Sequence, residues 1–360
     1  MKNTGDSGLG IRDSGLGIGD SGSACGSCGF GIRAALAFAM AAGLASSAFA
    51  GQGGGATTSA FTPGRTPWGH PDIQGIYTNK DEANTPLERP GNLQKRDARE
   101  FDENALANLA KERQAQARKI AGGIGGSETG AGPTHWYEHL EAKGSRPWFI
   151  VDPPDGRLPA FTPQAERREA AYAALNNARN GEGRADSTDD RSLYDRCITR
   201  GLPASMMPAI YGNAYQILQT PDFVAIRYEM IHETRIIPID GRPHVGPNVH
   251  LYMGDARGRW EGNVLVVETT NFTDRTHMGY NNRYNSERLK IVERFTPVAP
   301  NRLAWEVTIT DPETWTRPWT FAMPLTRDDT QQVFEYACHE GNRGLLHIMT
   351  GARADDAKHK

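Results

Sequence analysis

The sequence predicts a mainly β protein in which an antiparallel meander closes into a lipocalin-like barrel or a strongly curled sheet, behind an N-terminal extension that contains two helices. From about residue 207 onward, short runs of β-branched and aromatic residues alternate with turn signals of Pro, Gly, Asp and Asn. Serial strands of this kind form barrels or sandwiches, so a two-sheet sandwich is the alternative architecture. A closed barrel of about eight strands can hold one small ligand. The predicted strands cover residues 215–219, 223–239, 250–253, 263–270, 288–296, 302–310, 319–324 and 332–338.

The two helices of the extension are predicted at residues 102–120 and 163–177. The first is rich in Glu, Lys, Gln and Ala and has a thin apolar stripe, so we expect it on the surface. Two short strands are expected at residues 73–77 and 148–151. The second strand runs into a Pro-Pro-Asp-Gly sequence at 153–156, whose residues suit a tight turn at every position.

The N-terminus carries the marks of a secretory signal. Asp-Ser-Gly-Leu-Gly-Ile occurs at residues 6–11 and again at 13–18, a repeat with no apolar face, which we expect to be unstructured. The apolar run at 34–44 is too short to span a bilayer, and Ala48-x-Ala50 matches the small-residue cleavage pattern. A buried Ala-rich helix is the alternative. The pattern predicts a periplasmic or secreted protein.

The predicted organisation has four parts around one main core. A signal segment with the unstructured repeat occupies residues 1–50, and a Gly/Thr/Ser linker follows at 51–64. An N-terminal extended and helical region at 65–200 is expected to pack on the antiparallel β-barrel domain at 201–352.

Composition excludes several classes of function. The 360-residue chain is 23% charged and 38% hydrophobic, which is typical of globular protein, and it lacks an apolar run long enough for a membrane span. Its net charge of -3, with acids and bases mixed along the chain, argues against nucleic-acid binding. We expect a small-molecule or saccharide ligand, and the sequence leaves the oligomeric state open.

The four cysteines divide at the predicted cleavage site. Cys25 and Cys28 lie upstream of it and would be removed with the signal. Cys197 and Cys338 remain in the mature protein, 141 positions apart. In an oxidising compartment we expect them to form a disulfide, with two buried free thiols as the alternative.

Several phrases of the sequence occur together in a known group of proteins. They are Ile-Val-Asp-Pro-Pro-Asp-Gly-Arg at 150–157, Arg-Cys-Ile-Thr-Arg-Gly-Leu-Pro at 196–203, Tyr-Glu-Met-Ile-His at 228–232, Gly-Arg-Trp-Glu-Gly at 258–262, Glu-Thr-Thr-Asn-Phe at 268–272 and Phe-Glu-Tyr-Ala-Cys-His-Glu-Gly at 334–341. Over residues 67–352 the chain resembles a widespread family of uncharacterised exported bacterial proteins common in soil organisms. The resemblance implies export and one family-wide fold, and it implies no particular enzymatic reaction.

The densest polar stretch of the strand region is residues 227–235. Read as one strand, it places Tyr228 and His232 on an apolar face, and Glu229 and Arg235 on the opposite face. An apolar wall with a few polar groups is typical of a ligand pocket. His232 is the first candidate for proton transfer because the ordinary histidine pKa is about 6.5. We expect Tyr228 to assist, Arg235 to orient an anionic group and Glu229 to contact ligand. A satisfied core histidine is the alternative for His232.

His339 and Glu340 form a second candidate catalytic cluster. They follow the last predicted strand, at 332–338, and residues at a strand end lie at the mouth of a barrel. Glu340 would orient His339 or accept a proton itself. The alternative is that both residues only cap the sheet.

Four further residues are candidates for ligand binding: His250, Glu293, Trp315 and Trp319. Glu293 is expected to face Glu306 across a hairpin, either as an acid/base pair or as ordinary surface glutamates. The two tryptophans lie where a loop at the barrel lip is expected, and they would stack on a ring-shaped ligand or belong to the core.

No other standard catalytic or nucleotide-binding signature is present: the sequence lacks GxSxG, a P-loop, and GxGxxG after a strand, so no organic cofactor is expected. His135 to His139 has the HxxEH spacing of zinc peptidases but lies in a predicted loop, so no metal site is predicted. The leading hypothesis is a cofactor-independent acid/base enzyme, a lyase, isomerase or hydrolase. The alternatives are an exported binding protein for an apolar or aromatic small molecule, and a metal-dependent hydrolase.

Overall fold

The computed structural model describes residues 61–124, 137–176, 183–276 and 284–358, without the side chains of 120–124 and His232. The predicted signal segment, its CxxC pair and most of the predicted linker lie outside these ranges, as does His135. The described residues belong to one compact unit, Phe49–Lys360.

One antiparallel sheet dominates this unit. Nine strands follow each other in the order β5-β4-β3-β1-β10-β9-β8-β7-β6, and a tenth, β2, pairs with β10. Every pairing is antiparallel. The strands are β1 Gly75–Thr78, β2 Ile150–Asp152, β3 Ala214–Gln219, β4 Phe223–Tyr228, β5 Thr234–Pro238, β6 Asp255–Glu261, β7 Val264–Thr270, β8 Lys290–Ala299, β9 Arg302–Thr310 and β10 Trp319–Arg327.

Alternation along the strands builds the core. In β8 the residues from Ile291 to Pro297 alternate between buried and partly buried positions, so every second side chain points to the interior. Phe295 and Trp305 stack there with ring centroids 6.3 Å apart, and Phe321 meets Trp305 edge-on at 5.4 Å. All three are fully buried, so aromatic side chains fill the centre of the sheet.

The two ends of the sheet come together. β5 and β6 are the terminal strands of the described order and are not paired through their backbones. A Cβ atom added to Gly258 of β6 would lie 2.9 Å from Ile237 Cγ2 and 2.7 Å from Ile239 Cγ2. Because side chains of β5 already fill the space beside this glycine, the sheet is a nearly closed barrel. The predicted mainly β, barrel-like fold is confirmed.

The N-terminal region contributes strands as well as helices. β1 lies inside the sheet, between β3 and β10, and β2 ends at the turn 153–156, where Gly156 N donates to Pro153 O. The helices α1 Glu103–Ile124 and α2 Pro163–Asn176 agree with the predicted ones. α1 packs on a small cluster of its own, formed by Leu93, Phe101 and Trp148.

Three predicted strands differ from the structure. The predicted strand 223–239 is a hairpin of β4 and β5, broken by a 3-10 turn at Met230–His232. Residues 250–253 contribute only a bridge from Leu251 to Phe272. Residues 332–338 form no strand, and Phe334 is 65% exposed. A helix that the sequence did not predict, α3 Arg343–Lys358, follows.

The predicted disulfide between Cys197 and Cys338 is confirmed. It joins the segment before β3 to the turn that precedes α3. None of the described helices is both long and apolar enough to cross a membrane.

Candidate functional site

The β4–β5 hairpin determines which polar residues enter the barrel. Pairing places Ile226 opposite Arg235, and Tyr228 N donates to Glu233 O at 2.9 Å, so Tyr228 lies opposite Glu233. The chain reverses between these residues, so Tyr228 and Arg235 both point inward. The prediction that they lie on opposite faces is wrong, because the period of two does not continue through a turn.

Arg235 meets Glu293 inside the barrel. Arg235 Nη2 lies 2.6 Å from Glu293 Oε2, and the two side chains are 3% and 1% exposed. The same nitrogen donates to Thr269 Oγ1 at 2.7 Å, and Trp305 Nε1 donates to Glu293 Oε1 at 3.2 Å. These side chains come from β5, β7, β8 and β9, so four strands hold the pair in place. We call Tyr228, Glu233, Arg235, Thr269 and Glu293 the interior cluster.

Several donors of the interior cluster have no acceptor among the described residues. They are Nε and Nη1 of Arg235 and the hydroxyl of Tyr228. The hydroxyl lies against the guanidinium, whose charge and hydrogen bonding act on its pKa, although the contact lacks normal hydrogen-bond geometry. Glu293 Oε2, 2.6 Å from Arg235 Nη2, is an acceptor of the same cluster that also lacks a hydrogen bond of normal geometry among the described residues. The Tyr228 ring is held edge-on against Tyr215, with centroids 6.1 Å apart. Three hydrogen-bond donors are therefore concentrated in one buried place.

Electrostatics fixes the protonation of the two donor side chains. Burial raises the pKa of the Tyr228 hydroxyl well above its ordinary value, although the charge of Arg235 lowers it. Burial is the largest single effect on the pKa of Arg235 and lowers it, but the charge of Glu293 together with the other interactions of Glu293 and Tyr228 outweighs burial, and the pKa of Arg235 is raised overall. Tyr228 is therefore a neutral donor and Arg235 a permanent cation near neutral pH.

Glu233 lies beside these donors and was not singled out in the sequence. Its Oε2 accepts from the hydroxyl of Thr199 at 2.8 Å, and its charge acts on both Tyr228 and Arg235. Burial raises its pKa, while the hydrogen bond from Thr199 and the charge of Arg235 lower it. Reading 227–235 as one strand hid this residue, because it places Glu233 on the face opposite Tyr228 and His232.

The turn that joins β4 to β5 is strained. Ile231 has φ 63, in the left-handed region that β-branched residues avoid, and its side chain is 3% exposed. The Tyr194 hydroxyl donates to Met230 Sδ at 3.7 Å, which ties the turn to the segment before β3. Such conformations concentrate at functional sites, where surrounding packing holds them. The side chain of His232, the first predicted proton-transfer residue, lies outside the described part of the structure.

The second predicted catalytic pair lies elsewhere. His339 and Glu340 are exposed and belong to a turn before α3, so the predicted place at a strand end and barrel mouth is wrong. The strand that would have carried them to the barrel does not form. They are not part of the interior cluster.

Two predicted ligand contacts have structural partners. Glu229 accepts from Ala214 N at 3.1 Å and holds the start of β3. His250 approaches the carbonyl oxygens of Phe272 and Pro247 with its two ring nitrogens, each at 3.0 Å. The hydrogen bond to Phe272 is the main cause of the raised pKa of His250. Both residues lie outside the interior cluster.

Of the predicted carboxylate pair, only Glu293 points inward. Its cross-strand partner is Val307, whereas Glu306 lies opposite Arg294 on the outer face. The two glutamates therefore do not face each other, because adjacent residues of a strand point to opposite sides.

The two tryptophans are core residues. Trp315 and Trp319 are 2% and 3% exposed and meet edge-on at 5.8 Å, and Trp315 stacks on Phe161 at 4.6 Å. Trp315 lies in the connection between β9 and β10 and Trp319 begins β10, and because both rings are buried, they fit the core alternative. In the described ranges no three His, Cys, Asp or Glu side chains are placed to hold a metal ion.

Comparison with known proteins gives neither a family nor a function for this chain. No family model matches the chain, and neither a curated protein nor a solved structure matches it. The resemblance to a family of exported bacterial proteins stays a prediction.

Proposed function

We propose that the barrel binds a small molecule in its interior and that Arg235 and Tyr228 hold an oxygen atom of that ligand. The observation that supports this is the set of buried donors without an acceptor among the described residues, Nε and Nη1 of Arg235 and the Tyr228 hydroxyl. A buried donor left without an acceptor costs about 1–3 kcal/mol, and more when it is charged. A ligand oxygen placed between these two side chains offsets that cost.

The charges around the donors favour a neutral ligand group. Arg235 and Glu293 carry opposite charges at 2.6 Å, so the pair is neutral as a whole. An anion beside it would be a third buried charge without a counter-ion, which is strongly unfavourable. A carbonyl oxygen accepts from both donors and adds no charge. We therefore expect a ketone, ester or amide with an apolar or aromatic body.

Export is part of the proposal. The confirmed disulfide between Cys197 and Cys338 supports it, since disulfides persist mainly in oxidising compartments. The signal-like pattern that ends at Ala50 supports it independently. In this proposal the barrel meets its ligand in the periplasm or outside the cell.

The Tyr228 hydroxyl gives the sharpest test, because it makes no hydrogen bond of normal geometry with the described residues. We expect Tyr228→Phe to fold with unchanged stability and to bind alpha-tetralone, a bicyclic aromatic ketone, about tenfold more weakly, as expected for the loss of one hydrogen bond of about 1.4 kcal/mol. Titration calorimetry of mature protein measures the affinity.

Two controls make the result specific. Tyr215→Phe removes a buried hydroxyl that donates to Asn79 Oδ1 at 3.1 Å, so it should lower stability and leave the affinity unchanged. alpha-Naphthoate has a similar shape and a negative charge, and we expect it not to bind. Equal affinity of wild type and Tyr228→Phe for the ketone, or absence of binding, refutes the proposed site.

A further inference from the structure

Glu233 is placed to act on a ligand that Tyr228 and Arg235 hold. It lies directly opposite Tyr228 in the hairpin, a relation that brings Cβ atoms to within about 4.5–5.5 Å of each other. It also precedes Arg235 by two residues, and residues two apart on an extended chain share a face. Glu233 therefore lies beside both donor side chains, and its charge acts on the pKa of Tyr228 while the charge of Arg235 acts on the pKa of Glu233.

We propose that Glu233 removes and returns a proton at the carbon next to the carbonyl group of the ligand, so that the barrel catalyses enolisation and isomerisation of a carbonyl compound. This inference rests on the proposed binding of a carbonyl ligand by Arg235 and Tyr228. In the step, the bond between that carbon and hydrogen breaks and the proton passes to a Glu233 carboxylate oxygen. The electron pair forms the carbon–carbon double bond, and the carbonyl oxygen becomes an enolate oxygen.

The residues around the carbonyl oxygen suit this step. Negative charge develops on that oxygen, and donors fixed in advance around it stabilise the transition state. Arg235 supplies a positive charge and Tyr228 a neutral hydroxyl. Return of the proton to the same carbon regenerates the substrate. Where the ligand carries a carbon–carbon double bond one position further from the carbonyl group, the enolate is a dienolate, and delivery of the proton to its far carbon moves that double bond into conjugation and gives an isomer. No oxidant, metal or second substrate enters the balance.

Glu233 fits the role of the base better than Glu293 does. Glu293 is held by Arg235 on one oxygen and by the indole of Trp305 on the other. Among the described residues, Glu233 accepts a hydrogen bond from the neutral hydroxyl of Thr199 at 2.8 Å, which orients the carboxylate without neutralising it. Partial burial also raises the pKa of Glu233, which strengthens its carboxylate as a base.

Exchange of hydrogen for deuterium at the carbon next to the carbonyl of alpha-tetralone in heavy water measures the step directly, by mass spectrometry. We expect wild-type protein to accelerate the exchange over buffer with saturation in ketone. Glu233→Gln keeps the shape and the hydrogen bond from Thr199, so we expect unchanged affinity and an exchange rate lower by at least about a hundredfold, the usual size of a general-base contribution.

Glu306→Gln is the matched control, because Glu306 is also a partly buried glutamate of raised pKa but lies on the outer face. It should exchange at the wild-type rate. Binding without exchange in wild type, or equal exchange in wild type and Glu233→Gln, overturns this inference and leaves the proposed binding function standing. Failure of the ketone to bind wild type overturns both.

Discussion

Removing the charge of Arg235 tests the buried ion pair on which the interior cluster depends. The side chains of Arg235 and Glu293 are 3% and 1% exposed and approach to 2.6 Å. Truncating one member leaves the other charge buried without a counter-ion, which destabilises a protein by about 3–5 kcal/mol. We expect Arg235→Met to lower the free energy of unfolding by this amount.

Arg294 offers a matched control, because it follows Glu293 on β8 and forms its ion pair on the outer face. Arg294 Nη1 lies 3.0 Å from Glu261 Oε2, with side chains 36% and 40% exposed. Exposed pairs of this kind contribute about 0–1 kcal/mol. Urea unfolding of oxidised protein, followed by tryptophan fluorescence, should show a midpoint lower by roughly 1–2 M for Arg235→Met and near the wild-type value for Arg294→Met.

A double variant separates the loss of the pair from the loss of a packed side chain. Arg235→Met with Glu293→Leu removes both charges and keeps most of the volume, and such replacements are often neutral or stabilising. We expect it to regain most of the lost stability, less the contribution of the hydrogen bond from Trp305 to Glu293. The reasoning is refuted if Arg235→Met unfolds at the same urea concentration as Arg294→Met, or if the double variant is no more stable than Arg235→Met.

Three further predictions concern other parts of the barrel. Reduction of the disulfide between Cys197 and Cys338 should lower the urea midpoint, because the chain-entropy model gives a cross-link over a loop of this length a stabilisation of roughly 4–5 kcal/mol. An unchanged midpoint, with both thiols titrated as free, would contradict this prediction. His250 holds two carbonyl oxygens only as the imidazolium, so its stabilising effect is complete below the ordinary histidine pKa of about 6.5 and is lost as pH rises through its raised pKa. Hydrogen exchange in the surrounding loop, corrected for the intrinsic rate, should therefore accelerate above about pH 6.5 in wild type and stay flat in His250→Gln; a flat wild-type profile would count against it. Gly258→Ala should destabilise by about 1–3 kcal/mol, because its Cβ would lie 2.7 Å from a methyl group of the facing strand. Gly341→Ala, with nothing within 4 Å of the new Cβ, is its control, and equal stability of the two variants would show that the barrel is not closed there.

Much of the fold was predictable where apolar, β-branched strands are separated by turns with Gly or Pro, but β6, whose sequence is rich in charged residues, was not predicted. β7 and β9 were predicted within a residue or two, because each is a short run rich in apolar and β-branched residues between clear turn signals. α3 was missed for a physical reason: its sequence contains Gly344 and Gly351, and its apolar residues are mostly exposed, so it shows a weak helical pattern. A helix stabilised by a disulfide and a few side-chain contacts leaves little trace in periodicity.

The candidate site was only half predictable. Tyr228, Arg235 and Glu293 were each singled out as polar residues in apolar strands, yet their convergence depends on pairing between distant parts of the chain. Glu233 was missed because the turn that precedes it contains no Gly, Pro or Asn. Ile231 makes that turn by adopting a left-handed conformation, which sequence patterns do not foresee for a β-branched residue.

The concentration of unfavourable features in residues 228–235 is itself an argument for function. A buried ion pair is weak support for stability, since apolar residues of similar volume fill a core at equal or lower free energy. Donors without acceptors and a strained Ile231 add further cost within the same eight-residue stretch. Natural proteins break local rules of this kind mainly at functional sites and compensate elsewhere, here with an aromatic core around Trp305. We therefore infer that this hairpin is maintained for what Arg235 and Tyr228 bind, and the affinity of Tyr228→Phe for a neutral ketone is the measurement that decides it.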